Sequence, residues 1–178
     1  MPPIYLIEPI GPETIESAYR LANAVIPTLS KYEWLQSCHC SSVPEAHCAA
    51  RREREEIVVA RNIQGYLKGL CMYAIRDHAT YGRLIDVPFF IALSAADGEG
   101  VAQELLNFLM SKCDRSVCSG IRIWEMSYEN WEHRHSSTYI NRSDYGLFLP
   151  ALASTGEVMK PLRAHVLSVA QTIDRLSR

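Results

Sequence analysis

The sequence predicts an α/β fold with one mixed, mostly antiparallel sheet flanked by helices. Two observations favour this class. Apolar stretches at residues 57–61, 66–76 and 83–93 follow one another through short connections, as in hairpins, and the first connection contains Gly65. The last of these stretches leads into a long amphipathic segment and then into a further apolar stretch at residues 121–126. Hairpin strands combined with one β-α-β unit indicate an α/β protein with a mixed sheet.

The other elements follow from hydrophobic spacing and from helix and turn signals. Helical spacing over residues 12–30 predicts a helix that Pro27 ends, residues 34–43 are predicted to be a loop, and Pro44 begins a second helix. The remaining predicted elements are a first strand at residues 4–8, a helix starting near residue 98, a helix at 129–140, closing strands at 145–149 and 157–159, and a last helix at about 162–176.

Length and charge restrict the class of protein. The 178 residues predict a single domain spanning residues 1–178, with a core over about 4–162. The formal net charge of −2 gives no reason to expect a nucleic-acid partner. No apolar run approaches the roughly 20 residues that span a bilayer, and the N-terminus has no signal-peptide pattern, so we expect a cytoplasmic protein without a membrane partner.

The stretch from Phe89 to Cys113 carries the strongest functional signal. It begins with a short apolar run, continues through Gly98 and Gly100, and then shows an apolar face at helical spacing. A strand that enters a helix through a glycine turn exposes backbone N–H groups at the positive end of the helix dipole. Such a turn is a ready anion site. A plain strand–turn–helix is the alternative, since Ser94 and Asp97 have the spacing of a capping box.

Residues 97–102, Asp-Gly-Glu-Gly-Val-Ala, resemble the pyrophosphate loop of the GCN5-related N-acetyltransferases, the GNAT family. The family pattern is Arg/Gln-x-x-Gly-x-Gly/Ala between a core strand and a Leu-rich helix, and Gly100 and Ala102 match it. Asp97 departs from it, because it stands where the family has Arg or Gln, and a carboxylate repels a diphosphate. Two further segments are similar to the family: residues 124–130, Trp-Glu-Met-Ser-Tyr-Glu-Asn, and residues 157–162, Glu-Val-Met-Lys-Pro-Leu. The resemblance covers roughly residues 4–162.

The resemblance implies an enzyme that transfers an acetyl group from acetyl-CoA, as co-substrate, to a primary amine by direct attack in a ternary complex. It places the diphosphate on backbone N–H groups at the start of the helix and the thioester oxygen against a backbone N–H of the central strand. The cofactor-binding residues implied in this way are Gly98, Glu99, Gly100, Val101, Ala102 and Gln103 for the diphosphate, and Phe90, Ile91 and Ala92 for the thioester.

Glu125 is the candidate general base, because it matches the Glu of the family segment Leu-Glu-Val. The alternative is a strand carboxylate paired with Arg122 or Arg83. Asp86 is a weaker candidate, for which we favour a carboxylate on a solvent-facing or edge position. The acidic side chains near the implied site weakly favour a cationic amine as acceptor.

Asn130 matches the family Asn that opens the next helix and often contacts CoA, and it is also a suitable helix N-cap. The family Tyr that protonates the leaving thiolate falls at Ser137 here. Tyr139 is the candidate for that role, although a two-residue offset rotates a helical side chain by about 200°. A packing role is the alternative for Tyr139. His133 and His135, in the same predicted helix, are surface histidines or acid–base groups.

Three other features leave alternatives open. We interpret Cys38, His39, Cys40, His47 and Cys48 as a loop with free thiols rather than a zinc site, because their spacing fits zinc poorly, and we predict no metal. The apolar stripe of the helix at 162–176 needs burial on its own sheet or on a second copy, and we favour a homodimer contact. Asp97, Glu99 and Ser137 favour an alternative class, an acetyltransferase-like domain that binds a ligand or protein without catalysis.

Overall fold

Six strands and four helices make up the part of the chain that the computed structural model describes, which is residues 5–42, 54–93, 98–125, 127–136 and 146–151. The strands are β1 (Tyr5–Pro9), β2 (Glu56–Asn62), β3 (Leu67–His78), β4 (Gly82–Ala92), β5 (Gly120–Trp124) and β6 (Gly146–Pro150). The helices are α1 (Ile15–Val25), α2 (Lys31–Ser42), α3 (Gly98–Arg115) and α4 (Tyr128–His133).

The strands form one sheet in the order β1-β2-β3-β4-β5-β6. Every neighbouring pair is antiparallel except β4 and β5, which are parallel and connected through α3. This mixed, mostly antiparallel sheet confirms the predicted fold class. No helix in the described ranges is both long and apolar enough to cross a membrane.

Two apolar cores lie on opposite faces of the sheet, as the alternation of side chains along each strand requires. On one face, Val101, Leu105 and Leu109 of α3 pack in one cluster with residues such as Val87 and Ile121. On the other face, α1, α2 and α4 cover the sheet, and their buried side chains include Ala18, Leu21, Trp34 and Trp131, clustered with Phe89 and Ile91 of β4. The parallel pair β4–β5 therefore lies between two covered faces.

The prediction of a loop at residues 34–43 is wrong, because α2 runs from Lys31 to Ser42. Ser30 and Glu33 form a reciprocal cap at its start. The Ser30 N–H donates to Glu33 Oε2 at 2.9 Å, and the Glu33 N–H donates to Ser30 Oγ at 3.2 Å. The Trp34 indole N–H donates to the Ile15 carbonyl at 3.1 Å, which ties α2 to α1. Ser-x-x-Glu is a helix-start signal in the sequence itself.

The other predicted elements differ mainly in their ends. The first helix is shorter than predicted, from Ile15 to Val25, and it stops before Pro27 as expected. The strand predicted at 121–126 ends at Trp124, and the helix predicted at 129–140 ends at His133. The helix predicted from Pro44, the strand at 157–159 and the helix at 162–176 lie outside the described residues.

Gly69 allows α3 to approach the sheet closely. A Cβ at this position would lie 2.7 Å from Val101 Cγ1, 3.0 Å from the Ile91 carbonyl oxygen and 3.0 Å from Leu105 Cδ1. Real Cβ atoms essentially never come within 2.7 Å of another heavy atom, and 3.0 Å is already tight, so the first turns of α3 rest this closely on β3 and β4 because residue 69 lacks a side chain.

We expect Gly69→Ala to lower the free energy of unfolding by about 1–3 kcal/mol, because the added methyl overpacks the contact with α3. Urea denaturation measures this. In a double-mutant cycle, Val101→Ala removes the nearest methyl groups, so the combined loss should be smaller than the sum of the two single losses. Strict additivity would contradict a steric contact between positions 69 and 101.

Candidate active site

β4 and β5 pair over three residues each, and the pairing ends at Val87 and Ile123. The paired residues are Ile85 with Ile121, Asp86 with Arg122, and Val87 with Ile123. Residues 89–92 of β4 continue alongside β3, from Phe89 opposite Met72 to Ala92 opposite Gly69, and within the described residues they have no strand on their other edge. We call the space between residues 88–92 of β4 and Trp124 at the end of β5 the β4–β5 opening.

The backbone donors on each edge of β4 follow from one hydrogen bond. The Leu93 N–H donates to the Lys68 carbonyl of the β3 side at 2.7 Å. Successive N–H groups of a strand point to opposite edges, so the N–H of Ile91 also points to β3, and those of Phe90 and Ala92 point into the β4–β5 opening. Pro88 has no N–H to donate, and it lies where the register between β3 and β4 shifts, between the pairs Met72–Phe89 and Ala74–Asp86.

Helix α3 begins at Gly98, six residues after β4 ends at Ala92. Among the residues implied for the diphosphate, Ala102 and Gln103 donate their N–H groups within the helix to the carbonyls of residues 98 and 99. The N–H groups of the first turn, residues 98–101, are directed out of the helix end. Val101 and Ala102 are buried against the sheet. Asp97 lies outside the described residues.

Glu125 follows directly after β5 and is exposed, whereas the preceding Trp124 is buried. The two neighbouring side chains therefore differ in exposure at the end of the strand. The Glu125 carbonyl accepts a hydrogen bond from Asn130 Nδ2 at 2.7 Å. Arg122, proposed as a partner of Glu125, instead donates its Nε–H to Asp86.

The suggestion that Asn130 is a helix N-cap is wrong. The N-cap of α4 is Ser127, whose Oγ accepts from the Asn130 N–H at 3.1 Å. Asn130 is the third residue of the helix, is buried, and uses its side-chain amide to hold the chain at Glu125. Ser127 precedes the helix by the spacing of an ordinary N-cap, so the sequence contained this signal.

The expectation of a solvent-facing Asp86 is also wrong, because its residue exposure is 0 %. Its Oδ1 accepts from Arg122 Nε at 2.8 Å and from the Trp124 indole N–H. Its Oδ2 lies 3.6 Å from Arg76 Nε. The carboxylate is enclosed by two guanidinium groups and an indole, and it joins β3, β4 and β5 at the base of the β4–β5 opening.

The remaining candidates divide between surface positions and residues that the structure does not describe. Tyr139, Ser137 and Tyr145 lie outside the described residues, as do His47 and Cys48. His133 and His135 are exposed. Cys38 is buried in α2, where desolvation raises the pKa of its thiol to about 12. Within the described ranges, no three His, Cys, Asp or Glu side chains converge as metal ligands do.

We expect Asp86→Asn to lower the free energy of unfolding by about 3–5 kcal/mol, because it leaves the buried Arg122 and Arg76 without their shared carboxylate. Asp114→Asn, at an exposed position of α3, is the matched control and should change it by less than about 0.5 kcal/mol. Urea denaturation of both variants checks this. Equal stability of the two variants would contradict a buried ion pair at Asp86.

No family model matches the sequence, and no curated protein matches it. Solved structures do match the fold. AAC(6')-Iy, solved with the bisubstrate analogue CoA-S-monomethyl-acetylneamine, has a TM-score of 0.56 at 11% identity, covering 82% of this chain and 95% of its own. Spermidine N-acetyltransferase from Vibrio cholerae, solved with CoA and spermine, has a TM-score of 0.51 at 17% identity, covering 74% and 76%.

A third matching structure is that of a protein described as a member of the GNAT family. It is an acetyltransferase of the GNAT family from Staphylococcus aureus Mu50, with a TM-score of 0.51 at 8% identity, covering 81% of this chain and 95% of its own. At identities this low, the matches show similarity of fold alone. The superposed regions cover most of each chain. The chain therefore has the fold of the GNAT acetyltransferases.

Proposed function

We propose that this protein transfers an acetyl group from acetyl-CoA to a primary amine by direct attack in a ternary complex. The observation that carries the proposal is the β4–β5 opening, into which the N–H groups of Phe90 and Ala92 point. It occurs in a fold that the two proteins solved with CoA or a CoA analogue share.

The opening fits the long amide-containing arm of CoA. An extended chain with amide groups pairs with a free strand edge as an added strand does, through hydrogen bonds to the backbone. Within the described part of the chain, residues 88–92 of β4 provide such an edge beyond the last position paired with β5. In this proposal, the arm of acetyl-CoA takes the place of the missing strand.

The two ends of the arm meet different donors. The diphosphate is proposed to lie at the start of α3, where backbone N–H groups and the helix dipole favour an anion. The thioester oxygen is proposed to accept from the N–H of Phe90 or Ala92. A backbone donor fixed in a sheet is preorganised for the negative charge that develops on this oxygen during attack. Ile91 supports the site by packing, since its N–H points to β3.

Glu125 is proposed as the group that removes a proton from the incoming ammonium, directly or through water. It is the exposed carboxylate at the end of β5, and its backbone is held by Asn130. Asp86 is a poor base by comparison, because guanidinium and indole groups enclose its carboxylate. Tyr139 or water is proposed to protonate the leaving CoA thiolate.

The acceptor is proposed to be a cationic amine. Glu125, Glu129 and Glu132 are exposed on and beside α4. Carboxylates near the opening attract an ammonium group and disfavour an anionic acceptor. The Vibrio cholerae neighbour was solved with spermine, an amine of this kind.

The first test is calorimetric titration of the protein with acetyl-CoA. We expect binding by the unaltered protein and at least tenfold weaker binding, about 1.4 kcal/mol, by Gly100→Glu, whose side chain brings bulk and negative charge to the start of α3. Ser111→Glu adds the same charge at an exposed position near the other end of α3 and should bind as the unaltered protein does. Equal affinity of both variants would show that CoA binds elsewhere.

The second test addresses the base. With an amine found active in a panel of primary amines, Glu125→Gln should lower turnover by about 10²–10⁴-fold with little change in acetyl-CoA affinity. Raising the pH should partly restore the rate, because more of the amine then arrives deprotonated. Asp114→Asn, at an exposed position near the C-terminal end of α3, is the control and should keep its turnover. Unchanged turnover in Glu125→Gln would exclude Glu125 as the base.

A further inference from the structure

Glu55 is a buried carboxylate that several cations share. It lies just before β2, and its side chain is 7% exposed. Its Oε1 lies 3.2 Å from Arg76 Nη2, and its Oε2 lies 3.3 Å from Arg134 Nε. His135 Nδ1, on an exposed side chain, is 3.8 Å from Oε1. Glu55 thereby connects the ionic cluster around Asp86 to the residues that follow α4.

Arg134, at the C-terminal end of α4, makes three further contacts. Its Nη1 donates to the Trp131 carbonyl at 2.9 Å, and its Nη2 donates to Ser37 Oγ of α2 at 3.1 Å. Its guanidinium carbon lies 3.9 Å from the centre of the Trp131 ring, close enough for a cation–π interaction. One side chain thus joins α4 to α2 and, through Glu55, to β3.

Trp131 is held between Arg134 and Phe89. The Phe89 and Trp131 rings meet edge to face with centroids 5.5 Å apart, and Trp131 is 2% exposed. Phe89 belongs to the part of β4 that has separated from β5. A helix of six residues is not stable alone in water, so α4 stays in place through such contacts.

We propose that Glu55 is a positioning residue for the acetyl-CoA site. Its carboxylate holds Arg134, Arg134 holds Trp131 on Phe89, and α4 is thereby fixed beside the β4–β5 opening. The residue before Trp131 is Asn130, whose side chain fixes the backbone of Glu125. The inference rests on the proposed function, since it concerns the same opening.

The test uses Glu55→Gln and Arg134→Gln, with Glu56→Gln as the matched control. Glu56 is the next residue, but its carboxylate accepts from the Tyr73 hydroxyl at 2.5 Å and meets Lys112 of α3 at 3.4 Å. The contacts of Glu56 therefore lie on the face of the sheet that α3 covers, opposite to the face that α4 covers. Glu55→Gln leaves buried cations without their carboxylate, so this variant is at risk of not folding. Arg134 has a more exposed side chain than Glu55, so Arg134→Gln is the variant to use if Glu55→Gln does not fold.

Two measurements are needed: amide hydrogen exchange of the peptide spanning residues 127–136, and the acetyl-CoA Kd by calorimetry. We expect Glu55→Gln and Arg134→Gln to exchange faster in that peptide while the β2–β3 hairpin stays protected, and to bind acetyl-CoA at least about tenfold more weakly. Arg134→Lys, which retains the charge, should recover part of the affinity. Glu56→Gln should match the unaltered protein in both measurements.

The outcomes separate this inference from the proposed function. Faster exchange with unchanged acetyl-CoA affinity would overturn the positioning role, and so would unchanged exchange in this peptide. Uniformly faster exchange throughout the chain would show that Glu55 contributes only to global stability, and this result would also overturn the positioning role. If the unaltered protein binds no acetyl-CoA, the proposed function fails and this inference fails with it, whatever the exchange data show about α4.

Discussion

The buried ion pair between Asp86 and Arg122 sets where the sheet divides. It joins β4 and β5 one residue before their last paired position, and both side chains are almost fully buried. Burial of two charges costs several kcal/mol each, and the cost is offset only with good geometry and further hydrogen bonds. Asp86 Oδ1 meets this requirement by accepting from Arg122 and Trp124, whereas its Oδ2 has an ion pair with Arg76 at 3.6 Å and no hydrogen bond among the described residues. A shift of register between the strands would separate these groups and leave charges buried without partners, so the pair favours one register.

The register fixed by this ion pair determines where the pairing of β4 with β5 ends. Immediately after Val87, Pro88 has no N–H to donate, and β5 itself ends at Trp124. The N–H groups of Phe90 and Ala92 are then directed away from β3 at a position inside the fold rather than at its outer edge. Backbone groups in such a place need hydrogen-bond partners, from water or from a ligand. Within the described residues, the ladder of hydrogen bonds between β4 and β5 thus ends where the co-substrate is proposed to bind.

Local patterns in the sequence predicted the sheet and α3 well, because apolar runs and helical spacing are decided by neighbouring residues. They failed where the deciding partner is distant. The burial of Asp86 depends on Arg122, which is 36 residues away, and the contact of Arg134 with Glu55 spans 79 residues. No local pattern distinguishes such carboxylates from exposed ones. The helix α2, predicted as a loop, is a different case, since its start has a local signal in the sequence, the Ser30–Glu33 capping box. The proposed roles of Gly98, Gly100 and Glu125 still rest on motif similarity and remain predictions.

Asp86 and Glu125 show how the surroundings of a carboxylate distinguish roles that residue type alone does not. Asp86 and Glu125 were both candidates for the base, and each is close to the point where β4 and β5 part. Asp86 has one oxygen occupied by two donors and the other facing a guanidinium, so a substrate proton has no route to it. Glu125 has its backbone held by Asn130 and its side chain exposed, which leaves the carboxylate able to reach an amine. The buried carboxylate of Asp86 organises the strands, and the exposed carboxylate of Glu125 is the one proposed to meet the substrate. The two are complementary, because Asp86 helps to fix the end of the strand that Glu125 follows.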